Sequence, residues 1–416
     1  MDFPPQLQSA LGLAVFVGTA WLLSENRKAF PTSTVIVGIG LQIILATIFL
    51  GLPFMRAALL SLNAVVDAIQ AATAKGSSFV FGYTGGGAAP FTVTNPSAVV
   101  TIAFTILPIV IVMSALCSLL WHWRVLQVVV NAFAWALERT MKIGGALGLG
   151  CASNIFLGMI EAPLLIRPYL VRMTRSELFT LFTCGLANVA GTVLVLYAQI
   201  LNPVVPGAVG HIIVASLLSL PASILLSKIM IPGDETTPAA LGSRSMYRST
   251  MDAVSTGAED GMKMYLSILA MLIAMISLVA LANIILGNVL VGGTPLSFER
   301  LAGWVFAPIV WLVGVPASDA ATAGSLMGTK TILNELIAYL NLAALPGDAL
   351  GDRSRLLMVY AMCGFANLGS VGMMIGSISA LVPSRREEIV ELSLKSLIPG
   401  TLSTCMTAAV IGLLPG

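Results

Sequence analysis

Hydrophobic residues run in blocks of about twenty along most of this chain, with polar residues confined to short seams between them. Eight blocks have the length and apolarity of membrane-crossing helices: residues 7–24, 33–54, 97–121, 177–201, 208–231, 264–288, 356–382 and 389–414. Weaker stretches predict surface helices. Residues 56–75 set Leu59, Leu60, Val65, Val66 and Ile69 among Arg56, Asp67 and Gln70, the pattern of an amphipathic helix at the interface. Residues 125–139 and 250–262 predict two more, the second carrying Asp252, Glu259 and Asp260. Gly85-Gly86-Gly87 and Asn95-Pro96 predict a turn before the third span. The polar linker 232–248, with two prolines, divides the halves.

Two apolar stretches, 143–170 and 303–345, fit neither a span nor a loop, because each is interrupted in its middle. Both are predicted to be re-entrant helical hairpins, with tips at 154–161 and 317–329. Broken backbone at membrane depth is tolerated only where protein or a water-filled cavity surrounds it. The stretches also match each other: Gly158 to Tyr169-Leu170 has the spacing of Gly328 to Tyr339-Leu340. Each is followed by a near-copy, Cys184-Gly185-Leu186-Ala187-Asn188 and then Cys363-Gly364-Phe365-Ala366-Asn367. Paired, interrupted segments in the two halves of a membrane chain point to a transporter's binding site.

Composition agrees. The 416 residues are 57% hydrophobic and 10% charged, against about a quarter charged in soluble domains, and the mean hydropathy is +0.95. The net charge of +2 gathers in no basic patch and predicts no nucleic-acid partner. Lys and Arg alternate between loops: Arg27-Lys28, then Arg124 to Arg175, then Lys228 to Arg248, then Arg385-Arg386, whereas 202–210 has no charge. By the positive-inside rule these basic loops are cytoplasmic and both termini face outward. Met1-Asp2-Phe3 lacks a basic leader, so the first span is expected to be retained. Cys117, Cys151, Cys184, Cys363 and Cys405 lie in apolar runs without a CxxC pair, and His122 and His211 stand far apart; neither set predicts a metal site.

Glu161 and Glu335 are the acids set deepest in apolar sequence. Each has a base nearby, Arg167 or Lys330, with which it could merely pair. Unpaired, each could accept hydroxyl hydrogen bonds from a sugar diol or carry a proton. Asn188 and Asn367 could bond between helices, or mark places where helices unwind and offer oxygen ligands to a cation or polar solute. Asp319 predicts a helix cap.

These residues resemble the concentrative nucleoside transporter family from about residue 97 onward, and more weakly before it. The resemblance rests on Asn154-x-x-x-Gly158-x-x-Glu161-Ala162-Pro163-Leu164-Leu165, Ala190-Gly191-Thr192-Val193-Leu194, Gly257-Ala258-x-Asp260-Gly261, Gly314-Val315-Pro316, Asn334-Glu335 and Cys363-Gly364-Phe365-Ala366-Asn367-Leu368-Gly369-Ser370. It implies an all-α homotrimer of the bacterial inner membrane, with eight spans, two re-entrant hairpins and interfacial helices. An inverted-repeat transport domain would move like an elevator against a trimeric scaffold. The chain would then divide into scaffold helices at 1–121, a first transport repeat at 122–231, a linker with a scaffold span at 232–302 and a second transport repeat at 303–416. The implied activity is nucleoside symport with sodium, or with protons, and not an enzymatic reaction; no cofactor is implied.

By the same resemblance, Glu335, Asn367 and Ser370 would hold the ribose, with Phe365 beside it. Gly158, Met159, Ile160 and Glu161 would line the nucleobase side. Asn154, Asn188 and the backbones of Leu157 and Val189 would bind sodium. The chain departs from the family where Gly-Gln-Thr-Glu is usual and Gly158-Met159-Ile160-Glu161 stands. Asn188 replaces a usual Ser or Thr, and Ala317 a common tryptophan. Losing two neutral hydrogen bonds, about 0.5–1.5 kcal/mol each, alters base recognition. A non-transporting nucleoside sensor or ligand-gated pore on the same fold is the alternative from another class.

Overall fold

A computed structural model describes residues 4–94, 100–237 and 247–414. The expected turn residues Asn95-Pro96 and most of the linker, with Arg244, lie outside them. Within them the regular structure is helical apart from one antiparallel two-residue hairpin, Leu290–Val291 with Thr294–Pro295. Among the described residues, seven helical stretches are long and apolar enough to cross a membrane.

The first half runs α1 (Pro5–Leu22), α2 (Thr32–Ala46), α3 (Pro53–Phe81), α4 (Ile109–His122), α5 (Val125–Met141), α6 (Gly145–Ser153), α7 (Gly158–Leu165), α8 (Arg167–Leu170), α9 (Arg175–Ala187), α10 (Gly191–Leu201) and α11 (Ala208–Met230). The second half runs α12 (Thr250–Leu286), α13 (Phe298–Val313), α14 (Ala320–Ile332), α15 (Glu335–Ala344), α16 (Asp352–Met362), α17 (Leu368–Leu381) and α18 (Arg386–Leu413).

Several boundaries differ from the expected ones. Residues 56–75 belong to a 29-residue helix, α3, which with the turn after it is long and apolar enough to span. The surface helix at 250–262 and the span at 264–288 are one 37-residue helix, α12, capped by Ser249 accepting from the Asp252 amide. Asp260 and Glu259 sit on its polar N-terminal turns, and nothing between them and the apolar run breaks the helix.

The second hairpin also turns elsewhere than expected. Residues 320–332 are continuous helix, and the break falls at Leu333-Asn334. Alanine, serine and glycine in 317–329 serve close packing instead: at Gly324 and Gly328 an added Cβ would lie 2.6 Å from the Gly303 carbonyl oxygen and 2.2 Å from the Ala302 Cβ. Asp319 stands at the N-cap of α14, but its side chain makes no capping bond to that helix. Its carboxylate accepts from Ser354 Oγ (2.6 Å) and the Gly351 amide (3.1 Å), tying the α13–α14 turn to the start of α16.

Helices α11 and α18 form the buried centre. With no water to exclude between apolar helices in a bilayer, small residues and hydroxyl bonds hold such cores. Ser219 Oγ meets Thr407 Oγ1 at 3.3 Å, and Ser227 Oγ donates to Thr180 Oγ1 at 2.9 Å. Around this centre pack α1, α2, α9 and α16, while α4 pairs with α12 along Gly257 and Gly261. A Cβ at Gly261 would sit 2.7 Å from the Ile111 Cα. Gly261→Val is therefore expected to lower the melting temperature by several degrees, whereas Gly40→Ala, with nothing within 4 Å, leaves or raises it. Thermal unfolding in detergent measures both.

Candidate functional site

Four short breaks in helix meet in the middle of the fold, two from each half. Asn154 to Leu157 separate α6 from α7, and Asn188 to Ala190 separate α9 from α10. Leu333-Asn334 separate α14 from α15, and Cys363 to Asn367 separate α16 from α17. Gly158 has φ +85°, a left-handed conformation that favours glycine. Its missing side chain also lets α7 meet the second break, since a Cβ there would lie 2.8 Å from that of Ala190 and 3.2 Å from Glu161 Oε2.

The breaks bond to one another. The Gly191 amide donates to the Phe156 carbonyl at 3.1 Å, joining the first hairpin to the α9–α10 break. The Phe365 amide donates to the Asn188 carbonyl at 3.2 Å, joining that break to its counterpart in the second half. Backbone groups freed by unwinding in one segment are thus satisfied by another. Gly364 permits the approach: a Cβ would lie 2.9 Å from the Ala187 carbonyl oxygen.

Glu335 opens α15 and is 4% exposed. Its Oε1 accepts from Tyr197 Oη at 2.6 Å, and its Oε2 from Asn367 Nδ2 at 3.0 Å. Asn367 uses its own Oδ1 to accept from the Ser370 amide at 2.8 Å, capping α17. Asn334 caps α15 in the same manner through the Ile337 amide at 2.9 Å. Glu335, Asn367 and Ser370 are therefore one connected unit, with Phe365 half-buried beside it.

Asn154 and Asn188 stand at two breaks joined through Phe156 and Gly191. Each donates Nδ2 back to a carbonyl of its own helix, Gly150 at 3.1 Å and Cys184 at 2.9 Å. Each is 1% exposed, and each Oδ1 has no hydrogen-bond partner. Buried polar atoms are nearly always satisfied, so these two oxygens, at neighbouring breaks, are left open to a ligand.

Family models cover most of the chain. Residues 11–84 match the "Na+ dependent nucleoside transporter N-terminus", 103–204 match "Nucleoside recognition", and 211–412 match the "Na+ dependent nucleoside transporter C-terminus". The nucleoside permease NupC of Helicobacter pylori is 33% identical over 99% of this chain and 98% of its own. This chain belongs to the concentrative nucleoside transporter family.

The transporter is also 34% identical to the uncharacterized transporter YutK of Bacillus subtilis, over 98% of this chain and 99% of that one. It is 33% identical to the rat sodium/nucleoside cotransporter 1, over 99% of this chain and 64% of the rat protein. Its fold matches CNTnw in an inward-facing, substrate-bound state with a TM-score of 0.89, at 33% identity and 99% coverage of both chains. The family consists of transporters and permeases, so the chain is not an enzyme, and it is a multi-pass membrane protein.

The alternative pairings of Glu161 with Arg167 and of Glu335 with Lys330 do not form. Neither acid joins an ion pair among the described residues. The repeat also reads differently in three dimensions. Gly158 follows its break while Gly328 precedes one, inside α14. Asn188 stands at the start of its break and Asn367 at the end of its own. Met159, 5% exposed, packs toward Gly185, where a Cβ would lie 3.0 Å from its own; Ile160 is half-buried beside it. Leu157 is half-buried and Val189 fully buried, each within a break.

Tyr197 was not apparent from the sequence, where it is one aromatic in an apolar span. Only the three-dimensional register of α10 against α15 brings it to Glu335. A hydrogen bond to a charged group contributes about 1.5–3 kcal/mol. Tyr197→Phe is expected to weaken nucleoside binding about tenfold or more while the protein stays folded; isothermal titration against uridine and adenosine measures it, and unchanged affinity would mean Asn367 alone positions Glu335.

Proposed function

We propose that this transporter imports nucleosides by sodium-coupled symport, with elevator-type alternating access in a homotrimer of the bacterial inner membrane. The two orphaned amide oxygens of Asn154 and Asn188 carry the sodium reading. Hard oxygen donors on unwound backbone suit a small hard cation. The carbonyls of Leu157 and Val189, in the same two breaks, complete the proposed set. The fully buried unit of Glu335, Asn367 and Ser370 offers acceptors and a donor to ribose hydroxyls, with Phe365 against the sugar.

On the base side, Glu161 is the polar group and Met159 and Ile160 cannot hydrogen-bond. Base preference then rests on shape and on Glu161. The body around α11 and α18, holding all four breaks, is the proposed moving part, and α4 with α12 the static one. The apolar face of α12, with Ile273, Ile276 and Ile284 exposed, is available to lipid or to other copies of the chain.

Uptake of labelled uridine and adenosine into proteoliposomes is expected to require an inward sodium gradient. Uptake driven equally by a proton gradient without sodium would transfer the coupling to Glu161. Asn188→Ala is expected to abolish sodium stimulation and the sodium-dependent rise in melting temperature. Met159→Gln with Ile160→Thr is expected to strengthen uridine over adenosine uptake by about tenfold; unchanged selectivity would place base reading on other residues.

A further inference from the structure

Helix α5 has two apolar faces. Leu126, Val130, Ala134, Leu137 and Met141 are its buried face, and the helix packs chiefly against α6 and α4. Val128, Ala132, Trp135 and Arg139 recur at helical spacing on the opposite side, and all four are exposed. Gln127, Asn131 and Glu138 form only a narrow polar strip between the faces. A helix of this kind, apolar on its outer side as well, belongs in the membrane interface rather than in water. Its ends are basic at unusual positions. Arg124 before it and Lys142 after it are exposed and have φ +65° and +52°, and no other non-glycine residue described has a positive φ. Such left-handed positions beside helices favour glycine or asparagine. Arg124 ends α4 and opens α5, so the helix dipoles favour its charge on one side and oppose it on the other. Arg139 places its Cζ 5.9 Å from the Trp135 ring centroid. Against these three bases, Glu138 is the one acid between residues 121 and 153.

We propose that α5 is a recognition surface for anionic phospholipid. Arg124, Arg139 and Lys142 take headgroup phosphates, while Val128, Ala132 and Trp135 enter the boundary of the acyl chains. Tryptophan and arginine suit that boundary, each with an apolar body and a polar end. Net positive charge along the outer side selects an acidic headgroup over a zwitterionic one. Each basic residue at a membrane surface favours acidic lipid about fivefold. Basic side chains then occupy backbone positions better suited to glycine because their charge is used at the membrane, not in the fold. Since α5 leads from α4 into α6, the same anchorage holds the base of the first hairpin at the surface.

Quenching by brominated lipid tests the proposal on the full chain in proteoliposomes. Brominated chains quench the tryptophans they touch, and the difference between the protein and its Trp135→Phe variant isolates Trp135. Brominated phosphatidylglycerol diluted into phosphatidylcholine is expected to reach half of that quenching at a several-fold lower fraction than brominated phosphatidylcholine diluted into phosphatidylglycerol. Arg124→Asn with Lys142→Asn is expected to remove most of this preference, about fivefold for each base lost. The melting temperature is expected to hold or rise, because asparagine suits left-handed backbone better. Arg124→Gly with Lys142→Gly takes its place should that variant not fold. Absence of Trp135 quenching by either lipid would overturn the proposal and assign the face to water or to a second copy of the chain. Equal quenching by the two lipids would overturn the recognition of charge. A lower melting temperature with the preference intact would assign the bases to the helix ends and overturn it likewise.

Discussion

Interrupted helices in an apolar interior leave backbone donors and acceptors that water cannot reach. The structure answers this constraint by pairing interruptions with one another. Gly191 donates to Phe156 across one junction and Phe365 to Asn188 across the next. Each junction needs small residues, because carbonyl oxygens and chain atoms approach to distances that a Cβ would obstruct. Gly158, Gly191 and Gly364 stand at those places. Among the buried side-chain atoms left without a partner are Asn154 Oδ1 and Asn188 Oδ1, at two of these breaks.

Much of this was legible in the sequence. Long apolar blocks fixed the class, and glycines and prolines in otherwise apolar stretches fixed which blocks were interrupted. The family resemblance assigned roles to single residues, and the structure brings Glu335, Asn367 and Ser370 into one hydrogen-bonded unit. Asn154 and Asn188 share a second environment, as neighbouring breaks joined through Phe156 and Gly191.

Other features were hidden for physical reasons. Small residues at 317–329 resemble a hairpin tip in composition, yet the same residues permit close helix packing, and only tertiary contact separates the uses. Asn334 carried the better signal, an Asn-Glu pair opening an apolar run, which is how a helix N-terminus reads. The apparent repeat misled in detail because matching residue strings are offset from matching backbone positions. Tyr197 gave no local sign, since it matters through what another helix places beside it.

The bond from Phe365 to the Asn188 carbonyl joins the α9–α10 break of the first half to the break that carries Asn367 in the second, the proposed ion end and the proposed sugar end. An ion gripped at one end and a guest resting at the other would pull on a common strand of main chain. Any tightening would be mutual, since linkage between two binding events is reciprocal. A cell with little external sodium would then find the door not merely slower but less attractive to its passenger, and one peptide group would serve as the tether between fuel and freight.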